Sequence, residues 1–214
     1  MHNLILKDIL IQKKNCIFAL IIYPLIAIIA FQSIPEGILI VGSVSVAFIL
    51  ISNAFAYDEK CMGDVYIKSL PVNMQDIVTA RYLSLIVFSI IGIAVMYLYL
   101  TAAKLLGINI NIGTISASRI INIMFINILL YSIQFPLYYK FGFVKMRIFS
   151  NLVYIFFIIG LSTLCENISK NPEILAFIKA VHPVILSVVL IAAMIFMLII
   201  SAEISIRFYI TREC

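Results

Sequence analysis

Six apolar runs, each near the length that crosses a bilayer, leave this chain few ways to fold. They lie at about 15–31, 37–56, 82–106, 117–138, 148–165 and 184–206. A spanning helix needs roughly 20 apolar residues, since it rises about 1.5 Å per residue through about 30 Å of hydrocarbon. Open strands leave backbone groups unbonded in lipid, so such runs resolve as helices. The spacing predicts an all-α polytopic membrane protein, with residues 1–214 forming one transmembrane domain. Composition agrees: 64% of residues are hydrophobic and 12% charged, against about half and about a quarter in soluble domains. The first run is too long and starts too late for a cleaved secretion signal, and none is expected.

Charge asymmetry sets the expected orientation. Lys7, Lys13, Lys14, Lys60, Lys68, Arg81, Lys140, Lys145, Arg147, Arg207 and Arg212 fall on the side shared by both termini. Lys104, Arg119, Lys170 and Lys179 fall on the other. Eleven against four predicts cytoplasmic termini. The net charge of +5 then suits the anionic inner leaflet and implies no nucleic acid.

The longest charged interval is Tyr57–Leu83, between the second and third runs. Read as a helix from Glu59, it places Met62, Val65, Tyr66, Ser69 and Leu70 on one apolar side. Lys60, Asp64 and Lys68 are four apart on the other side and can pair along the surface. Pro71 breaks this helix, and Asn73 with Asp76 starts a new one that runs into the third span. The interval reads either as a docking helix for a soluble partner or as an ordinary polar connection.

Residues 3–14 predict a weakly amphipathic helix with Leu6, Ile9 and Leu10 on one arc, lying in the inner interface with its lysines among headgroups. A plain basic flank is the alternative. Pro24 sits within the first span, and Gly42, Ser43, Ala47 and Ala54 give the second a surface for close packing. Asn53, Asn122, Asn127 and Gln134 are polar groups within spans. They serve either as interhelical hydrogen bonds or as the lining of a translocation path. Tyr138–Ser150 is expected to be a second cytoplasmic loop. On the outer side, Asn171, Pro172 and Glu173 suit a helix start. Ile174, Leu175, Phe177, Ile178 and Val181 then form an apolar side, predicting an external helix before span six.

Catalytic chemistry has little to stand on. The two histidines, His2 and His182, fall on opposite sides, so no metal site is expected. Asp58 and Glu59 are adjacent and point about 100° apart on a helix, a poor acid/base pair. Gly37 and Gly42 match the first spacing of a phosphate loop, but Ser43 stands where its lysine belongs. No span carries a charge at its centre, which argues against an ion-coupled carrier. An intramembrane enzyme would need a paired nucleophile, metal or acid dyad within the spans, and none is found. A regulatory or immunity membrane protein that transports nothing shares this span pattern.

The order of elements, together with Phe55-Ala56-Tyr57-Asp58-Glu59-Lys60, Ser69-Leu70-Pro71-Val72, Asp76-Ile77-Val78, Arg81-Tyr82-Leu83 and the tail Ser205-Ile206…Tyr209…Arg212-Glu213, resembles the permease subunit of ABC-2 type exporters. Within these it is most similar to exporters of phenol-soluble modulins, which are amphipathic peptides. The resemblance implies a bacterial plasma-membrane permease driven by a separate ABC ATPase that holds ATP and Mg, and a second permease copy. It makes Glu59, Lys60, Met62, Asp64, Val65, Tyr66, Lys68 and Leu70 the ATPase-coupling interface. It makes Ile174, Phe177 and Ile178 part of an exit gate. The chain itself would bind no cofactor and hydrolyse nothing.

Overall fold

The structure, a computed structural model, describes residues 2–11, 16–30, 35–60, 73–106, 117–170 and 183–211. Its elements are helices: α1 (His2–Ile11), α2 (Cys16–Ala30), α3 (Pro35–Lys60), α4 (Met74–Leu105), α5 (Ala117–Phe141), α6 (Phe143–Lys170) and α7 (Pro183–Thr211). No strand occurs among the described residues.

Among the described residues, five helices, α3 to α7, are long and apolar enough to cross a membrane. The expected first span, about 15–31, coincides with α2, 15 residues whose flanks at 12–15 and 31–34 lie outside the described residues. Pro24 stands within it. At 32 residues, α4 reaches about 48 Å and outruns the hydrocarbon.

α3 is the central element. Of its most apolar window, 72% is buried, against 11% for α6 and for α7. It packs along α4, and α2 packs on α3; α5 runs along α7. The α3–α4 contact depends on two glycines. A Cβ on Gly92 would stand 2.6 Å from the backbone oxygen of Ser43, and one on Gly42 would strike the Met96 side chain. Small residues let membrane helices approach closely where lipid supplies no hydrophobic driving force.

Hydroxyls tie the spans together. The Tyr82 hydroxyl lies 2.6 Å from Ser201 Oγ and 2.8 Å from Ser205 Oγ, joining α4 to α7. Ser201 Oγ donates to the Ser132 carbonyl at 2.8 Å, joining α7 to α5. Ser45 Oγ is 2.5 Å from the Tyr154 hydroxyl, and that ring stacks on Phe48 at 4.1 Å, joining α3 to α6. Large apolar side chains such as Ile148, Phe156 and Phe196 stay exposed on the outer helices, as lipid-facing positions do.

Two sequence expectations change here. The Tyr138–Ser150 loop is helix almost throughout: α5 ends at Phe141, α6 begins at Phe143, and Gly142 alone makes the corner. Its φ of 82° is a left-handed conformation that glycine adopts without a Cβ penalty. Lys140, Lys145 and Arg147 suggested a loop, but all three are exposed on helix ends, which accommodate long cationic side chains equally well. Glu59, taken as the start of a separate amphipathic helix, instead lies in the last turn of α3.

Candidate functional site

One end of the bundle gathers the C-terminal ends of α3, α5 and α7, the N-terminal ends of α4 and α6, and α1. There the structure builds a charge cluster that pattern reading did not anticipate. Asp58, near the end of α3, and Asp8, on α1, are both buried. Arg81, in the third turn of α4, ion-pairs with both: Nη1 is 2.8 Å from Asp8 Oδ2, and Nη2 contacts Asp58 Oδ2. Lys7 Nζ donates to Asp58 Oδ1 at 2.7 Å and lies 3.8 Å from Asp8 Oδ1. Ser84 Oγ donates to Asp8 Oδ2 at 2.9 Å.

Two cations and two carboxylates give no net charge. That matters because a single buried charge is expensive and a paired, hydrogen-bonded set is tolerated. The set has an aromatic floor. Arg81 Cζ stands 4.6 Å from the centre of the Phe55 ring, within the range of cation–π attraction. Phe55 in turn contacts Tyr138 at 4.8 Å and Phe135 at 5.3 Å on α5, and Phe143 at 6.3 Å on α6.

The helix start at α4 follows the expected signals in part. Asn73 is the cap residue with extended backbone, and Asp76 lies in the first turn. The Asn73 side chain makes no cap bond; its carbonyl accepts from Asp76 N at 2.9 Å. Glu59 has a different role from its neighbour Asp58. Its Oε2 accepts from Val144 N at 2.7 Å, satisfying one of the open N–H groups of the first turn of α6. A carboxylate there also suits the positive end of the helix dipole. Adjacent helix residues thus reach different elements, Asp58 into the cluster and Glu59 to α6.

The connection of residues 61–72 therefore leaves α3 and joins α4 at fixed stems. Asp58 and Arg81 hold the stems to each other, Lys7 and Asp8 hold them to α1, and Glu59 holds α3 to α6. These stems are thus joined to four helices, α1, α3, α4 and α6, through charged or charge-assisted contacts, which are among the stronger hydrogen bonds.

Of the proposed interface residues, the structure describes Glu59 and the backbone of Lys60. Met62, Asp64, Val65, Tyr66, Lys68 and Leu70 lie outside the described residues, as do Ile174, Phe177 and Ile178. Among the polar span residues, Asn127 and Gln134 share the buried face of α5, Asn122 is exposed on another, and Asn53 is half-buried on α3. Gln134 Oε1 accepts from the Tyr138 hydroxyl at 3.3 Å. Both amide atoms of Asn127 and the amide nitrogen of Gln134 are buried without a hydrogen-bond partner among the described residues.

On α1 the expected amphipathic arrangement appears with a difference. Leu6, Ile9 and Leu10 are exposed to the surroundings of the bundle, consistent with an interfacial helix. Lys7, expected among headgroups, turns inward to Asp58. Sequence reading missed Lys7, Asp8 and the pairing of Asp58 with Arg81. The available signal was the position of one acid and one base at the two polar boundaries of adjacent apolar runs.

The fold and its charged end define a polytopic helical membrane protein whose spans 2 and 3 are clamped around their connection. Comparison with known families places it further: the family model described as "ABC-2 family transporter protein" matches residues 3–210. The chain belongs to this ABC-2 transporter family. Membership makes it a membrane permease of ABC transporter type and implies association with an ABC ATPase. No curated protein and no solved structure gave a significant match.

Proposed function

We propose that this chain is the permease subunit of an ATP-driven exporter in a bacterial plasma membrane, with both termini cytoplasmic and two permease copies per transporter. Its cargo is an amphipathic peptide, a reading that rests on the resemblance of the 55–83 run to phenol-soluble modulin exporters. ATP and Mg reside on the partner ATPase, and this chain carries no nucleotide. The segment from Glu59 to Leu70 is the coupling element, with Tyr66 its anchor, since aromatic residues dominate such interfaces.

The observation that supports coupling is the clamp. Asp58 and Arg81 stand on either side of residues 61–72 and join both stems to α1. Movement of an ATPase against this segment would be carried to α1, α3, α4 and α6 together rather than absorbed at the connection. The excess of Lys and Arg at the same end supports a cytoplasmic position.

Export of an amphipathic peptide and ATPase pull-down are to be measured for wild type, Tyr66→Ala and Lys68→Ala. Tyr66→Ala should weaken ATPase association about thirtyfold, the equivalent of roughly 2 kcal/mol, and uncouple hydrolysis from export. Lys68→Ala, a rim charge, should do much less. Unchanged association and export in Tyr66→Ala would leave residues 61–72 as a simple connector. A chain that binds a partner and exports nothing would point to a regulatory or immunity role.

A further inference from the structure

A cavity of about 210 Å³ opens between α2, α3, α5 and α6, on the side of α3 away from the α4 contact. Its polar wall is Ser52 and Asn53 from α3 with Arg147, Ser150 and Asn151 from α6, and Tyr23 of α2 faces them. No carboxylate lines it among the described residues. Arg147 has no ion-pair partner among the described residues, while the nearby acid Glu59 is engaged with Val144 N. The deeper wall is apolar, formed by Phe48 and Ile49.

Depth and size narrow what such a space accepts. Arg147 is four residues into α6, about 6 Å of rise. That is the thickness of one headgroup layer, given about 40–45 Å for a whole bilayer and about 30 Å for its hydrocarbon. The volume is below the roughly 300–1,000 Å³ of sites for drug-sized ligands, so a peptide cargo is too large for it. A guanidinium with hydroxyl and amide donors matches the oxygens of a phosphate. Beside the cavity, Val144, Ile148, Leu152 and Phe156 form an exposed apolar stripe four residues apart on the same helix, continuous with the hydrocarbon.

We propose that this cavity binds the phosphate of an anionic phospholipid, with Arg147 as its cationic contact, Asn53 and Asn151 as donors, and an acyl chain laid along the α6 stripe. The phosphate chemistry is common to a lipid headgroup and free phosphate; the adjoining stripe selects the lipid. The site is independent of the export reading, because lipid occupancy and ATPase association are measured separately.

The full chain, purified in neutral detergent, is to be titrated with phosphatidylglycerol, phosphatidylcholine or inorganic phosphate, and bound molecules counted by native mass spectrometry. Wild type should retain one phosphatidylglycerol per chain in preference to phosphatidylcholine. Arg147→Gln should bind it about tenfold or more weakly, the scale of one lost charge-assisted hydrogen bond, and Arg147→Lys should recover part of the loss. Lys140→Gln, an exposed cation at the same end but outside the cavity, should bind as wild type. Equal loss in Lys140→Gln would mean diffuse surface charge and overturn the site. Displacement of the lipid by equimolar inorganic phosphate would assign the cavity to the free anion and overturn the lipid. Should Arg147→Gln fold poorly, a folded Asn53→Leu/Asn151→Leu chain with undiminished lipid binding would overturn it equally. Crosslinking of the Phe156→Cys chain to itself in the absence of lipid would give the stripe to a second copy and also overturn it.

Discussion

Arg81 Nη1 stands 2.8 Å from Asp8 Oδ2, across an interval of 73 residues, and this ion pair fastens the N-terminal helix to α4, the second of the five long helices. The pair does not stand alone. Arg81 also holds Asp58, and Asp58 also holds Lys7. Removing the shared cation leaves two buried carboxylates facing each other with only the partly exposed Lys7 between them. Breaking a buried pair from one side typically costs about 3–5 kcal/mol. Arg81→Met should therefore lower permease stability by that order, read as a large drop in the unfolding midpoint in detergent. Lys7→Met should cost about 1 kcal/mol or less, because its side chain is partly exposed and screened. Equal effects would show that the cluster is not organised around Arg81.

Glu59 gives a separable test. Its carboxylate accepts from Val144 N, so Glu59→Ala should cost about 1 kcal/mol, as loss of a helix cap does. Glu59→Gln keeps an acceptor and loses only the charge at the helix terminus, worth about 0.3–1 kcal/mol. Thermal unfolding of the two variants should order them wild type, Gln, Ala. A Gln variant as unstable as Ala would mean that charge, not the hydrogen bond, is what α6 requires.

The α3–α4 contact predicts an asymmetry between two glycines. Gly92 faces the Ser43 carbonyl, which belongs to a helix backbone that cannot step aside. Gly42 faces the end of Met96, an unbranched side chain that can take another rotamer. Gly92→Ala should thus destabilise more than Gly42→Ala, with overpacking costs of about 1–3 kcal/mol for the former. Detergent unfolding of both single variants checks the order.

Much of this fold was legible in the sequence because lipid imposes one rule: apolar runs become helices. The start at Asn73, the close packing at Gly42 and Ser43, and the divergence of Asp58 from Glu59 followed from local geometry. What escaped was of two kinds. The corner at Gly142 is a single residue within a basic stretch, and charge alone reads as loop. The cluster joins positions 7, 8, 58 and 81, and helix periodicity carries no information about which distant charges meet. Only the assembled bundle brings them to one end. The proposed contact residues from Met62 to Leu70 lie outside the described residues, so their placement rests on periodicity.

The polar face of α5 separates packing from passage. Asn127 is fully buried, and neither atom of its amide has a hydrogen-bond partner among the described residues. One helical turn on, the Tyr131 hydroxyl is in the same condition, and Gln134 Nε2 follows at the next. A buried polar group left unsatisfied costs about 1–3 kcal/mol, so a chain under selection for stability alone would favour an apolar residue of similar size. Asn127→Leu should accordingly raise the unfolding midpoint. If the row is part of the transport path, the same variant should lower export while ATPase association stays at the wild-type level. If the row is only packing, export should persist in the more stable protein. A fall in stability would mean that Asn127 is hydrogen-bonded in the assembled transporter, to water or to a partner. The unfolding midpoint and the export rate of this one variant, measured together, decide among the three.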